Sequence, residues 1–207
     1  MTSPMVLLRA PQGAQFVFAS SSNLLKNLLA QIGLFPDLVD NPKINKSPFP
    51  TEPVRIYAMR IAISQAQLVA YRYPDSFVLA VSKVVACGRR ILPKTYRINE
   101  ARQCLKLLSG RRHRVIGGIC VIDPHGKGYK RLVETRVGFK RLSDAEIDAY
   151  LNSGEWFDQD GGYTINGLTG AYVNFLNGSY FNAIGLDLAK TYSLLNGLGF
   201  AYLRTSM

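Results

Sequence analysis

Acidic residues, cysteine, histidine and long apolar runs are all scarce in this sequence of 207 residues, and each shortage excludes something. The three cysteines, Cys87, Cys104 and Cys120, lie far apart, and none forms a C-x-x-C pair. An odd, sparse set argues against a disulfide framework or a thiolate zinc site and suits a reducing compartment. No apolar run approaches the length that spans a bilayer. The short run Met5-Val6-Leu7-Leu8 is broken by Arg9, Pro11 and Gly13. No signal-peptide pattern is therefore present, and a soluble, cytoplasmic chain without a membrane partner is expected. Asp and Glu number 14 against 25 Lys and Arg, a formal net charge of +11. That imbalance favours anionic partners: nucleotides, nucleic acid or an acidic surface. P-loop, Rossmann glycine fingerprint, H-E-x-x-H and G-x-S-x-G are all missing, as is any internal repeat.

What is there reads as a globular α/β chain. Its 47% hydrophobic content supports a sizeable core, and residues 15–207 are expected as one domain behind a lead of residues 1–14. Gln15 to Ala19 reads as a strand, Ser20-Ser21-Ser22-Asn23 as a capping turn, and Leu24 to Ile32 as a helix ended by Gly33. A turn of this kind aims backbone N–H groups at one spot, where a phosphate can sit. Pro36 to Pro53 is a proline-rich connection, followed by a helix to about Tyr71 and then the run Phe77 to Ala86.

That run begins as a strand buried on both faces, but Ser82 and Lys83 interrupt it. A polar pair there is costly unless it lines a cleft, and ligands gather near the carboxyl ends of strands in open α/β sheets. On the residues alone, the simpler expectation is that the strand ends here and Lys83 reaches solvent. A helix from about Asn99 follows, then strands Val115–Ile122 and Leu132–Phe139 around the turn Asp123-Pro124-His125-Gly126. Ser143-Asp144-Ala145-Glu146 is a capping box, and Asp187 to Asn196 an amphipathic helix. His113 and His125 both lie in polar, turn-like contexts and are expected at the surface. Tyr57, Tyr150, Phe175 and Tyr192 fall at core-like positions. The run Gly110 to Arg114 could grip phosphates.

The order of segments then resembles the Maf family of nucleotide pyrophosphatases. Phe18-Ala19-Ser20-Ser21-Ser22 is similar to its opening L-A-S-x-S. Leu108-Ser109-Gly110-Arg111, His113 and Val115 resemble L-S-G-R-x-H-x-V. Gly154-Glu155, Asp158, Gly161-Gly162-Tyr163 and Gly167 resemble G-E…D-K-A-G-G-Y-x-I-Q-G, and Gly178 to Asn182 the closing G-S-Y-x-N. The resemblance runs from about Phe16 to Leu195. It implies a Maf/inosine-triphosphatase-like fold, with a mixed twisted sheet flanked by helices and two lobes around a central cleft. It further implies hydrolysis of nucleoside triphosphates, including non-standard ones, to monophosphate and pyrophosphate, a divalent metal (Mg²⁺ or Mn²⁺), and commonly a homodimer.

This chain departs from the pattern where that chemistry is carried. The family's S-P-R-R falls on Ser22-Asn23-Leu24-Leu25, its D-E on Asn45-Lys46, and the Lys of its K-A on Gln65. Its A-D-T falls on Val81-Ser82-Lys83, so the metal-binding or basic Asp is Ser82. Gln159 and Asn166 replace Lys and Gln. By the resemblance, Ser82 and Lys94 occupy catalytic positions, and Ser20, Ser22, Lys46, Gln65, Lys83, Arg111 and Asn166 substrate-binding ones. Removing two carboxylates and adding Lys46 and Lys83 gives a cleft that repels cations, so no metal ligand is assigned. Glu155 and Asp158 read as exposed loop acids rather than a relocated metal site. Two readings stand: a pyrophosphatase of weak or absent activity, or an inactive Maf-fold protein that binds nucleotide, RNA or a protein partner.

Overall fold

The central strand does not stop at its polar pair. In the computed structural model, which describes residues 6–11 and 13–204, one strand runs unbroken over Ser76–Cys87. The chain runs β1 (Val6–Arg9), β2 (Gln15–Phe18), α1 (Asn23–Gln31), β3 (Leu38–Val39), α2 (Val54–Arg72) and β4 (Ser76–Cys87). It continues through β5 (Arg90–Ile91), β6 (Lys94–Thr95), α3 (Ile98–Leu108), β7 (Arg112–Ile122), β8 (Gly128–Phe139) and α4 (Asp144–Ser153). Last come β9 (Gln159–Asp160), a 3₁₀ turn over Leu168–Tyr172, β10 (Val173–Asn177), α5 (Tyr180–Ile184), α6 (Leu188–Asn196) and β11 (Ala201–Arg204).

The main sheet has the order β10-β8-β7-β4-β2-β3, with β5 on the far end of β4. β2 lies parallel to β3 and β4, whereas β7, β8 and β10 continue antiparallel, so the sheet is mixed as expected. Alternation along β4 sends Val78, Ala80, Val84 and Ala86 to one face and Leu79, Val81 and Val85 to the other. The first face packs on α2 through small residues, Ala58, Ala62 and Ala66, which let helix and sheet approach closely. The second face meets Leu29 of α1, Leu105 and Leu108 of α3, and Leu195 of α6. Each fully buried aliphatic side chain adds roughly 1.5–3 kcal/mol, so β4 anchors the core from both sides.

Local chemistry agrees with the sequence at the helix ends. Ser22 caps α1 by accepting from the Leu25 N–H, Ser143 and Glu146 form the reciprocal capping box of α4, and Asp187 caps α6. Two expectations need correction. Residues 6–9 of the expected lead form β1, which pairs antiparallel with β11 and buries Leu7 and Leu8 (residues 1–5 and 12 lie outside the described residues). β7 begins at Arg112 instead of Val115, and this turns His113 inward.

His113 is only 2% exposed, its Nε2 lying 2.6 Å from the Tyr163 hydroxyl and its ring packed edge-on against Phe139. Burial without a charged partner lowers its pKa from 6.5 to about 4. The folded protein thus keeps His113 neutral where the unfolded chain takes up a proton. Stability from this group is complete above pH 6.5 and falls as the pH drops toward 4, by about 3 kcal/mol in all. Thermal unfolding measured between these pH values should show that slope, and the double variant His113→Phe/Tyr163→Phe should lose it.

Where β4 crosses α2, Ser82 Oγ donates to the Ala58 carbonyl at 2.7 Å. Its cross-strand neighbour is Gly118, where an added Cβ would sit 2.8 Å from that same carbonyl. Glycine is required by the closeness of helix to sheet. Ser82→Ala should lower stability by about 1 kcal/mol, read as a fall in melting temperature, without opening a cavity at the helix–sheet contact.

Candidate functional site

At the carboxyl end of the parallel strands β2 and β4 the layers separate into a cleft of about 930 Å³. Its rim includes the serine turn after β2, the loop before α2 and the short pair β6–β9. Ser82 and Lys83 of β4 line the cleft, and Tyr57 and Gln65 of α2 face it.

Each wall is positioned by local structure. Ser20 Oγ accepts the Ser22 N–H at 3.3 Å, which fixes the turn that opens α1. The loop before α2 is clamped by Arg60, which grips Glu52 at 2.7 and 2.8 Å, donates to the Ser47 carbonyl at 3.0 Å and stacks on Phe49. Tyr57 donates to the Lys46 carbonyl at 2.6 Å, so the backbone that carries Lys46 is tied to α2. On the opposite side β6 and β9 pair in the register Lys94↔Asp160 and Thr95↔Gln159. Thr95 Oγ1 donates to the Trp156 carbonyl at 2.7 Å, and the Asp158 N–H to the Thr95 carbonyl at 2.9 Å. Asp158 itself adopts a left-handed backbone, φ 56°, a conformation Asp tolerates better than most residues.

The charges of this cleft form one connected set. Lys94 Nζ lies 2.9 Å from Asp158 Oδ1, to which Tyr96 also donates at 2.8 Å. Burial drags Lys94 down, but Asp158 and Asp160 outweigh it and leave its pKa raised. Burial likewise works against the Asp158 carboxylate, yet the bonds from Lys94 and Tyr96 hold it below the usual value. Lys83 is pushed down by burial, opposed by Asp160, and Lys46 is lowered by burial and by Lys94. Burial raises Asp160 against the pull of Lys83, Lys94 and Lys46. Lys46, Lys83, Lys94, Asp158 and Asp160 all line this one cleft.

Most of the site residues expected from the sequence meet here: Ser20, Ser22, Lys46, Gln65, Ser82, Lys83 and Lys94 all line the cleft. Lys83 does not reach open solvent as the simple reading of its strand required. It stands on the floor of the cleft because the strand continues beyond it. Ser82, at the position of the family's Asp, donates its hydroxyl hydrogen bond to the Ala58 carbonyl of α2 and has no histidine beside it. Gln65 is 4% exposed, and its Oε1 is a buried acceptor without a hydrogen-bond partner. Leu24 and Leu25, where the pattern has arginines, give the cleft an apolar wall.

Two expected residues lie elsewhere. Arg111 belongs to a separate surface depression with Lys106, Ser109 and Arg141, at the turn between α3 and β7. Asn166 is exposed and hydrogen-bonds Thr164 in the turn after Tyr163. Glu155 also points away, accepting the Leu168 N–H at 2.8 Å. Tyr57, expected in the core, is a wall of the cleft instead. Asp160 was not among the expected site residues. The signal for it was the alanine of the D-K-A-G-G-Y pattern, which this chain replaces with a carboxylate.

Among the described residues no three His, Cys, Asp or Glu side chains cluster as a metal site would. The two carboxylates present, Asp158 and Asp160, face lysines, a donor set that does not fit a divalent cation.

Comparison with known proteins agrees with this architecture. The family described as Maf-like protein matches residues 15–198. The chain is 50% identical over 188 residues to a dTTP/UTP pyrophosphatase of Caulobacter vibrioides, covering 91% of this chain and 97% of that protein. It is 52% identical, over 91% of this chain and 99% of the relative, to a dTTP/UTP pyrophosphatase of Paramagnetospirillum magneticum. A protein of Ehrlichia canis named nucleoside triphosphate pyrophosphatase is 44% identical over 87% of this chain and 94% of its own length. The chain belongs to the Maf family.

Proposed function

We propose that this chain is a Maf-fold nucleotide-binding protein whose pyrophosphatase activity is weak or absent. The observation that carries the reading is the convergence of Lys46, Lys83 and Lys94 on the cleft beside the serine turn of α1. Three ammonium groups neutralise a triphosphate as point charges without a bridging metal. The turn adds backbone N–H groups and the positive end of the helix dipole. Leu24, Leu25 and Ile61 offer a base and sugar an apolar wall, and the open acceptor of Gln65 offers a partner for a donor on the ligand.

Hydrolysis at phosphorus needs an activated water and a means of stabilising charge on the leaving pyrophosphate. The lysines supply the second. For the first, Ser82 is no base at neutral pH, and Asp158 already accepts bonds from Lys94 and Tyr96. No step through a divalent metal follows from this set of side chains. The relatives named dTTP/UTP pyrophosphatases make dTTP and UTP the first nucleotides to test.

A second reading, polyanion binding on another face, draws on β7 and β8. Arg112 stacks over Phe175 at 3.9 Å, and Arg114 faces Arg136 across the strands, a like-charge pairing that sheets disfavour. RNA binding there would weaken steeply with salt.

Titration calorimetry with dTTP and UTP in EDTA should register binding to the wild type. Pyrophosphate release with Mg²⁺ or Mn²⁺ should stay below about 0.1 s⁻¹, against ~10 s⁻¹ for a typical enzyme. Turnover at ordinary rates would refute the weakened reading. The combined variant Lys46→Glu/Ser82→Asp/Lys83→Thr/Asp160→Ala should gain metal-dependent pyrophosphate release, because it returns the family's residues at these four positions.

A further inference from the structure

The lysine cluster is not vacant of negative charge, since two carboxylates stand where phosphate oxygens would. Asp158 is a rim residue, held by Lys94 and Tyr96. Asp160 is the deeper of the two and lines the cleft together with Lys83, Lys94 and Lys46. Its place does not depend on attraction to those lysines. The backbone pairing of β6 with β9 sets Asp160 opposite Lys94, and the Gly161 N–H donates to the Pro93 carbonyl at 2.8 Å just beyond it. Gly161 is itself pressed against Val85 of β4, which leaves the Asp160 main chain little room to withdraw. The fold thus fixes a carboxylate beside the lysines.

We propose that Asp160 is an internal competitor for phosphate, an anion built into the chain that holds the lysine cluster until a di- or triphosphate displaces it. This inference rests on the nucleotide reading above. The rival role for Asp160, a metal ligand moved from β4 to β9, predicts the opposite effect of removing its charge. A competitor lost strengthens anion binding, whereas a ligand lost weakens it. The lysine neighbours favour the first, since ammonium groups lining the same cleft repel a divalent cation.

The test is calorimetric titration of the whole chain with inorganic pyrophosphate, in EDTA and again in Mg²⁺. Asp160→Asn should tighten pyrophosphate binding in EDTA by about tenfold, the equivalent of one pK unit of coupling. Asp160→Ala, which carries the residue of the family pattern, is a second variant should the amide perturb the fold. Lys83→Thr should weaken binding, and adding Asp160→Asn to it should recover less than in the wild-type background, because the two side chains act on each other. Unchanged or weaker binding in both Asp160 variants overturns the proposal while leaving the nucleotide reading intact if the wild type binds dTTP. Binding that requires Mg²⁺ and vanishes with Asp160→Asn overturns it in favour of a metal ligand. Failure of the wild type and every variant to bind either pyrophosphate or dTTP overturns both.

Discussion

Lys83 projects from the middle of a strand whose neighbours, Val81, Val84 and Val85, are buried and apolar. A charge in such a place must be stabilised by other charges, because removing it from water costs several kcal/mol. Much of the cleft's geometry answers that requirement. The carboxylate that shares its cleft is Asp160, set there by the pairing of β9 with β6 beside the left-handed turn at Asp158. Lys94 follows from the same pairing and brings Asp158 and Tyr96 with it. The lysine on the central strand thus shares its cleft with a two-stranded sheet whose first strand, β6, follows closely and whose second, β9, comes late in the chain.

The scaffold was largely legible in the sequence because its signals are local. Serine and aspartate caps, the alternating strand ending at Phe139 and the doubly buried run through Val81 each declare themselves within a dozen residues. The parts that were not legible are held by distant pairings. β1 is four residues long and acquires its partner only at β11, at the other end of the chain. Gln159–Asp160 carries no periodicity, and its strand character exists only against Lys94–Thr95. His113 looked like a surface residue because its flanking arginines are polar. In a strand, however, alternate residues face opposite ways, so His113 enters the core while Arg112 and Arg114 leave it. Arg111 and Asn166 were expected in the site by resemblance, and the path of the chain separates them from it.

Within a family whose relatives are named pyrophosphatases, this copy keeps the scaffold and rearranges the charge. Carboxylates are absent at positions 46 and 82, ammonium groups stand at 46 and 83, and a carboxylate appears at 160. The added lysines and the added carboxylate line the same cleft. A lysine at position 83 without Asp160 would be a buried charge with weaker support, and Asp160 without the lysines would be worse placed still.

The close seat of α2 on Gly118 has a mechanical consequence. With the Ala58 carbonyl hard against the sheet and bonded by Ser82, helix and floor move as one body, and Tyr57, Gln65 and Lys83 keep fixed relative positions. The facing lip hangs on two strands of two residues each. The lip is in turn seated on the sheet where Gly161 abuts Val85 of β4, so floor and lip hold the charges of the cleft at fixed separations.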